Sequence, residues 1–256
     1  MKLKNRTVLI TGGTSGIGRE LARQLLALGN TVIVTGRDPQ RLEQTRRDLP
    51  GVHAFASDAS DPAAIRALRE EVVARFPALD TLVNNAGMMR NLKLDQERSL
   101  SDLTREVELG LQGPIWMVQQ FLPQLRTQAH ALIVNVSSGL AFVPFPAAPV
   151  YSAAKAGLHA YTRCLRVQLG GTGVRVVELA PPGTETALFR AEFAREMQNE
   201  KAMDPAVLVK RAIAAIESGA TEIRPGPSNL LYVASRLAPN FMFKQLIKLG
   251  QPRTGR

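Results

Sequence analysis

The 256-residue chain predicts an α/β fold: a doubly wound parallel sheet of about seven strands, covered by helices on both faces in three αβα layers. Three observations predict it. Short β-branched runs alternate with longer stretches of helical spacing from one end of the chain to the other. The short runs lack the apolar/polar alternation of a half-exposed strand, as expected where both sheet faces are covered. No Pro/Gly/Ser-rich linker, internal repeat or low-complexity tract divides the chain, which favours a single domain over 1–256.

The elements follow in order. A run at 7–11 meets a glycine turn and a helix over 16–28. The run 31–35 precedes a charged helix over 39–49, and 52–56 precedes a helix over 62–75. After the run 81–83, one long helix is expected from about 101 to 126. The run 131–136 leads to a helix over 151–168, and 174–179 leads to a loop over about 181–203. A helix over 204–217 and a short run at 221–224 come next, and an apolar helix over about 230–249 follows. Right-handed crossovers between parallel strands then give a Rossmann-type sheet.

A hydrophobic content of 45% with 21% charged residues describes a globular chain with a substantial core. The net charge of +10 has no block behind it: the arginines are scattered, and the longest basic run is Arg46-Arg47. That distribution favours a solvated basic surface or an anionic small molecule over nucleic acid. Cys164 is the lone cysteine and cannot form an intrachain disulfide; it is expected to be a small buried residue of the 151–168 helix. The first ten residues lack the apolar run and cleavage site of a signal peptide, so a cytoplasmic location is expected. His53, His130 and His159 are too dispersed to suggest a metal site.

The string Thr11-Gly12-Gly13-Thr14-Ser15-Gly16-Ile17-Gly18 lies between the first strand and the first helix. Glycines there allow a tight turn and close approach to a pyrophosphate, and free helix-start amides present positive partial charge to it. Its position in a βαβ series marks Gly12, Thr14, Ser15, Gly16, Ile17 and Gly18 as a dinucleotide site. The second strand ends in Val34-Thr35-Gly36-Arg37, with no acid to meet a ribose diol. A guanidinium at Arg37 suits a 2′-phosphate, so the expected cofactor is NADP(H) rather than NAD(H).

Tyr151 and Lys155 are four apart on one helix face. A neighbouring ammonium favours phenolate, lowering the tyrosine from its reference pKa of about 10 towards a range where it both gives and takes protons. Ser138 ends the fifth strand, thirteen positions before Tyr151, where a returning loop can set its hydroxyl beside the phenol.

With these motifs together, the chain resembles the short-chain dehydrogenase/reductase family over nearly its whole length. The resemblance rests on TGGTSGIG at 11–18, Asp58, NNAG at 84–87, Ser138 and YSAAK at 151–155, in that order. It implies that Tyr151 is the acid/base, that Lys155 holds the nicotinamide ribose and that Ser138 orients the substrate. It further implies that Asp58 contacts adenine, that Asn85, Ala86 and Gly87 line the cofactor cleft, and that Pro181, Thr184 and Thr186 reach its nicotinamide end. The chemistry implied is hydride transfer between NADP(H) and a small-molecule carbonyl or alcohol. A homodimer or homotetramer is implied as well, built on the 101–126 and 151–168 helices.

Two departures stand out. Gly110 occupies the position of a family asparagine whose backbone anchors a proton-relay water, which leaves open a non-catalytic NADP(H)-binding sensor or scaffold. Pro181-Pro182-Gly183 replaces the usual Pro-Gly start. In the family the segments after the serine and after the sixth strand wall the substrate pocket. Here they carry Leu140, Phe142, Val143, Pro144 and Phe145, then Leu188, Phe189, Phe193 and Met197, which suits an apolar or amphipathic substrate. Near the C-terminus Phe241, Met242, Phe243, Leu246, Ile247 and Leu249 alternate with Lys244 and Lys248; subunit packing or contact with a membrane surface explains that pattern.

Overall fold

The structure is a computed structural model that describes residues 1–190, 193 and 201–250. Strand β1 (Thr7–Ile10) leads through the glycine turn into helix α1 (Gly16–Ala27), then β2 (Thr31–Gly36), α2 (Pro39–Asp48), β3 (His53–Ala56), α3 (Pro62–Arg75) and β4 (Leu79–Asn84). Asp38 and Asp61 cap α2 and α3 by accepting from first-turn amides, and each is followed by a proline at N1, where the missing N–H is harmless.

The expected long helix over 101–126 is instead broken into α4 (Leu100–Leu103), α5 (Arg105–Val107), a π-turn (Glu108–Gln112) and α6 (Gly113–Arg126). The cause lies outside the segment. Arg90 donates to the Asp102 carbonyl at 2.6 Å and to the carboxylates of Asp102 and Glu106. A guanidinium inserted at this point withdraws a carbonyl from the helical ladder.

The second half runs β5 (Ala131–Val136), a 3-10 turn (Gly139–Ala141), α7 (Pro149–Gln168), β6 (Val174–Leu179), α8 (Ala187–Arg190), α9 (Pro205–Glu217), β7 (Glu222–Ile223), α10 (Pro227–Leu237) and α11 (Pro239–Gly250). The single helix expected over 230–249 is thus two helices. Ala238 precedes a proline and leaves the helical region at φ −144°, ψ 62°, as steric conflict with the ring requires.

All seven strands are parallel in the order β3-β2-β1-β4-β5-β6-β7. Successive strand residues feed opposite faces. Val8 and Ile10 pack with Leu21 and Leu25 of α1 and Leu208 and Ile216 of α9, whereas Leu9 packs with Ile65 of α3 and with Phe121 and Leu125 of α6. The strand order reverses between β1 and β4, and the crevice at the carboxyl ends of these strands is where open α/β sheets bind ligands. Cys164 is exposed rather than buried, because the buried stripe of α7 runs through Leu158, Thr162 and Leu165.

Candidate active site

The glycine turn is held from the β4 side. Thr11 Oγ1 accepts from the amides of Asn85 and Ala86, both at 3.0 Å, and Asn85 Nδ2 donates to the carbonyls of Thr11 and Gly12. Gly12 has φ +64°, and a Cβ there would stand 2.9 Å from the Ala86 backbone; on Gly18 it would overlap the Asn85 amide and the Gly12 carbonyl. This close approach requires glycine at both positions. Helix α1 starts with Ser15 making no side-chain cap and no acid in its first turn, so its leading amides face the crevice without a competing carboxylate. A Cβ on Gly36 would lie 2.9 Å from Thr14, and one on Gly16 would lie 3.2 Å from Thr186. Thr14 therefore sits at the end of β2, and Thr186 closes over the start of α1.

At the end of β2, Arg37 Nη1 lies 3.5 Å from Asp58 Oδ2, with both side chains partly exposed. Burial would raise the Asp58 carboxyl. The hydroxyl and amide of Ser60, with the Arg37 guanidinium, outweigh it and hold the carboxyl below its usual range.

On the far side of the crevice, Tyr151 and Lys155 share one face of α7 and are 9% and 4% exposed. Lys155 Nζ donates to the Val136 carbonyl at 2.9 Å and lies 5.7 Å from the Tyr151 ring centroid. It also stands beside Gly87, where a Cβ would be 3.6 Å from Nζ. The Ser138 side chain lies near enough to the phenol to counter part of its burial, and accepts from the Leu140 amide at 3.1 Å. The expectation of a lowered phenol pKa is reversed here. Burial raises Tyr151 above the usual tyrosine range, against the opposing pull of Ser138, and burial lowers Lys155 to about 8.

Pro181, Thr184 and Thr186 are tied to the same rim. The Pro181 carbonyl accepts from the Gly139 amide at 2.9 Å, and Thr184 pairs with Met203 in an isolated parallel bridge. Of the expected pocket walls, Leu140, Phe145, Phe189 and Phe193 gather around Tyr151. Phe142 instead stacks edge-on against His159 and Tyr232, and Leu188 is exposed. Met197 lies outside the described residues.

Sequence reasoning missed several groups. Met89, Leu246 and Leu249 join the apolar cluster around Tyr151. Ser137 Oγ donates to Glu178 Oε1 at 2.5 Å, and His159 Nδ1 lies 2.7 Å from Glu178 Oε2. His159 falls four residues beyond Lys155, a spacing that could have flagged it. A chain of amides, Asn84 Nδ2 to Asn135 Oδ1 and Asn135 Nδ2 to Thr162 Oγ1, crosses from β4 through β5 to α7.

The arrangement has counterparts. The family profile for short chain dehydrogenases matches residues 6–197. The chain is 42% identical to the uncharacterized oxidoreductase DltE of Bacillus subtilis over 249 residues, 96% of this chain and 98% of that one. It is 38% identical to sulfoacetaldehyde reductase 2 of Chromohalobacter salexigens over 183 residues, 70% of this chain and 73% of that one. Its fold superposes on a short chain dehydrogenase from Burkholderia cenocepacia, solved in complex with NADP, with TM-score 0.83 and 23% identity over 96% of this chain and 99% of that one. With the family profile spanning the glycine turn, Ser138, Tyr151 and Lys155, the chain belongs to the short-chain dehydrogenase/reductase family of oxidoreductases.

Proposed function

We propose that the protein is an NADP(H)-dependent reductase or dehydrogenase that interconverts the carbonyl and alcohol of a small, apolar or amphipathic molecule, with Tyr151 as acid/base. The observation that carries this reading is that buried Tyr151 and Lys155, with Ser138, lie at the same carboxyl end of the central strands as the glycine turn.

The residues present fit the dinucleotide. The acid-free start of α1 at Gly12, Thr14, Ser15, Gly16, Ile17 and Gly18 would take the pyrophosphate. Arg37 would take a 2′-phosphate and Asp58 the adenine. Asn85, Ala86, Gly87, Pro181, Thr184 and Thr186, with Tyr151 and Lys155, would hold the nicotinamide end. When bound, NADP(H) supplies or accepts the hydride.

The chain's own groups do the rest. A phenol raised by burial is protonated at neutral pH and can give its proton to a carbonyl oxygen, which suits reduction. Ser138, beside the phenol, would donate to the substrate oxygen and so fix the angle of approach. Lys155, pinned to the Val136 carbonyl, keeps an ammonium beside Gly87 and the phenol ring. Phe145, Phe193, Phe189 and Met89 supply apolar walls. Arg90, next to Met89, spends its guanidinium on Glu106 and Asp102, which favours an apolar substrate over an acidic one. In the same reading the enzyme is a cytoplasmic homodimer or homotetramer associating through α6 and α7.

The test is a titration with NADPH and NADH combined with a panel of aldehydes, ketones and quinones. Tyr151→Phe should remove at least about a hundredfold of any rate found. A Tyr151→Phe protein as fast as the parent would end the assignment. Tight NADPH binding with no turnover on the panel would favour the sensor or scaffold reading, for which the specific observation is Gly110, buried in the π-turn beside Ala154.

A further inference from the structure

We propose that α10 and α11 form a docking face for an anionic lipid membrane surface. On α10, Leu230, Val233 and Leu237 recur at helical spacing and are 66%, 43% and 81% exposed. On α11, Phe241 is 60% exposed and shares its side of the helix with positions 244, 245 and 248. Leu230, Val233 and Leu237 thus share one side of α10, and Phe241 extends the exposed apolar surface onto α11, a patch that solvent covers poorly.

The charge of the face says by what. Lys244 and Lys248 are exposed on the Phe241 side of α11, and no aspartate or glutamate occurs anywhere in 225–256. A two-fold contact between copies would set this patch against itself, cation against cation. A leaflet of anionic lipid offers the complement: headgroups for the cations and acyl chains for Leu237 and Phe241. Among the described residues no helix is long and apolar enough to cross a membrane, so the pair would lie along the surface.

The inner side of the pair fixes its orientation. Leu246 and Leu249 of α11 pack on the cluster of Phe145, Phe193 and Tyr151. The guanidinium groups of Arg224 and Arg236 lie 3.8 and 4.0 Å from the Tyr232 ring centroid on α10, and Phe142 packs edge-on with the same ring. With that side committed to the protein body, the stripe through Leu230, Leu237 and Phe241 remains outward.

The experiment is cosedimentation of the full chain with vesicles of phosphatidylcholine alone and of phosphatidylcholine mixed with phosphatidylglycerol. Two double variants are compared, Leu237→Ser with Phe241→Ser and Lys244→Glu with Lys248→Glu. Their exposed sites should leave NADPH binding intact, which checks the fold. The parent should pellet with the anionic vesicles only, and high salt should release it. Each cation near such a leaflet contributes roughly fivefold, so the charge-reversed pair should lower partitioning by about tenfold or more. Equal pelleting with both lipids, no pelleting, or variants that bind as the parent does would overturn the proposal. So would variants that change the mass at sedimentation equilibrium without changing lipid binding, which would make this face a subunit interface.

Discussion

His159 Nδ1 on α7 lies 2.7 Å from Glu178 Oε2 on β6, and the other oxygen of that carboxylate accepts from Ser137 at 2.5 Å. Three consecutive residues at the end of β5 are tied down separately: Val136 by Lys155, Ser137 by Glu178, and Ser138 by the Leu140 amide. His159→Leu removes the donor to a carboxylate that is 2% exposed and should cost about 1–3 kcal/mol. It should also lower kcat, because Glu178, which holds Ser137 directly before Ser138, loses its second partner. His159→Asn places an amide where Nδ1 stood and should restore most of both. Thermal denaturation and kcat on one substrate check this, and a leucine variant matching the parent in both would refute it.

Lys155 is a buried ammonium whose pKa has fallen from 10.5 to about 8 through burial. Holding that charge in the fold costs stability, so Lys155→Met should abolish turnover yet stabilise the protein by roughly 1–3 kcal/mol at pH 7. The sign with pH follows from linkage. The unfolded lysine keeps its proton to about 10.5 while the folded one releases it near 8, so between these values the parent gains stability as pH rises. The advantage of the methionine variant should therefore shrink above about pH 8. Melting curves at pH 7 and pH 9 decide, and an advantage that is constant or grows with pH contradicts the argument.

The sheet was legible because parallel strands covered on both faces carry continuous apolar runs: all six residues of β5 are buried. The glycine turn and the Tyr151/Lys155 pair were legible because their spacing is local. What could not be read locally depends on partners distant in sequence. The break in the 101–126 helix follows from Arg90, and the Glu178–His159 pair depends on how α7 lies against β6. The raised phenol belongs to the same class, since burial is a property of the packed cluster of Met89, Phe145 and Phe193. The division at Ala238, by contrast, was present in the sequence as Pro239, a residue that an unbroken helix does not accommodate.

In the proposed reading Arg37 would distinguish the two dinucleotides by charge. Its nearest counter-ion is Asp58 at 3.5 Å, with both side chains partly open to solvent, a weak pairing that a phosphate can replace. Arg37→Ala should weaken NADPH by about 10- to 100-fold, the value of a lost charge-assisted contact, and NADH by no more than about twofold. Fluorescence titration of both dinucleotides measures it. Equal losses for the two would mean that Arg37 does not discriminate between them.

Gly18 tests the packing of the turn. At an exposed helical position, glycine to alanine stabilises by up to about 1 kcal/mol. Here the added methyl would overlap the Asn85 amide and the Gly12 carbonyl, the contacts that fasten the turn to β4. Gly18→Ala should therefore reverse the usual sign, destabilising by about 1–3 kcal/mol and weakening NADPH together with it. A higher melting temperature in the alanine variant would contradict the close approach.

Gly110 has the opposite surroundings. It is not among the glycines with positive φ, and a Cβ there would meet Ala154 Cβ at 3.5 Å, an ordinary contact. A first side-chain carbon is thus tolerated by space and backbone, so Gly110→Ala should stabilise by up to about 1 kcal/mol. Gly110→Asn also buries an amide and tests the relay. The carbonyl that would anchor a relay water belongs to the backbone and persists in either protein, so turnover should stay within about twofold of the parent, since a proton relay acts through the group that bonds the water. Steady-state kcat at saturating NADPH is the measurement. A gain of about tenfold would show that the glycine impairs proton delivery, and the non-catalytic reading would then become the stronger account of the natural chain.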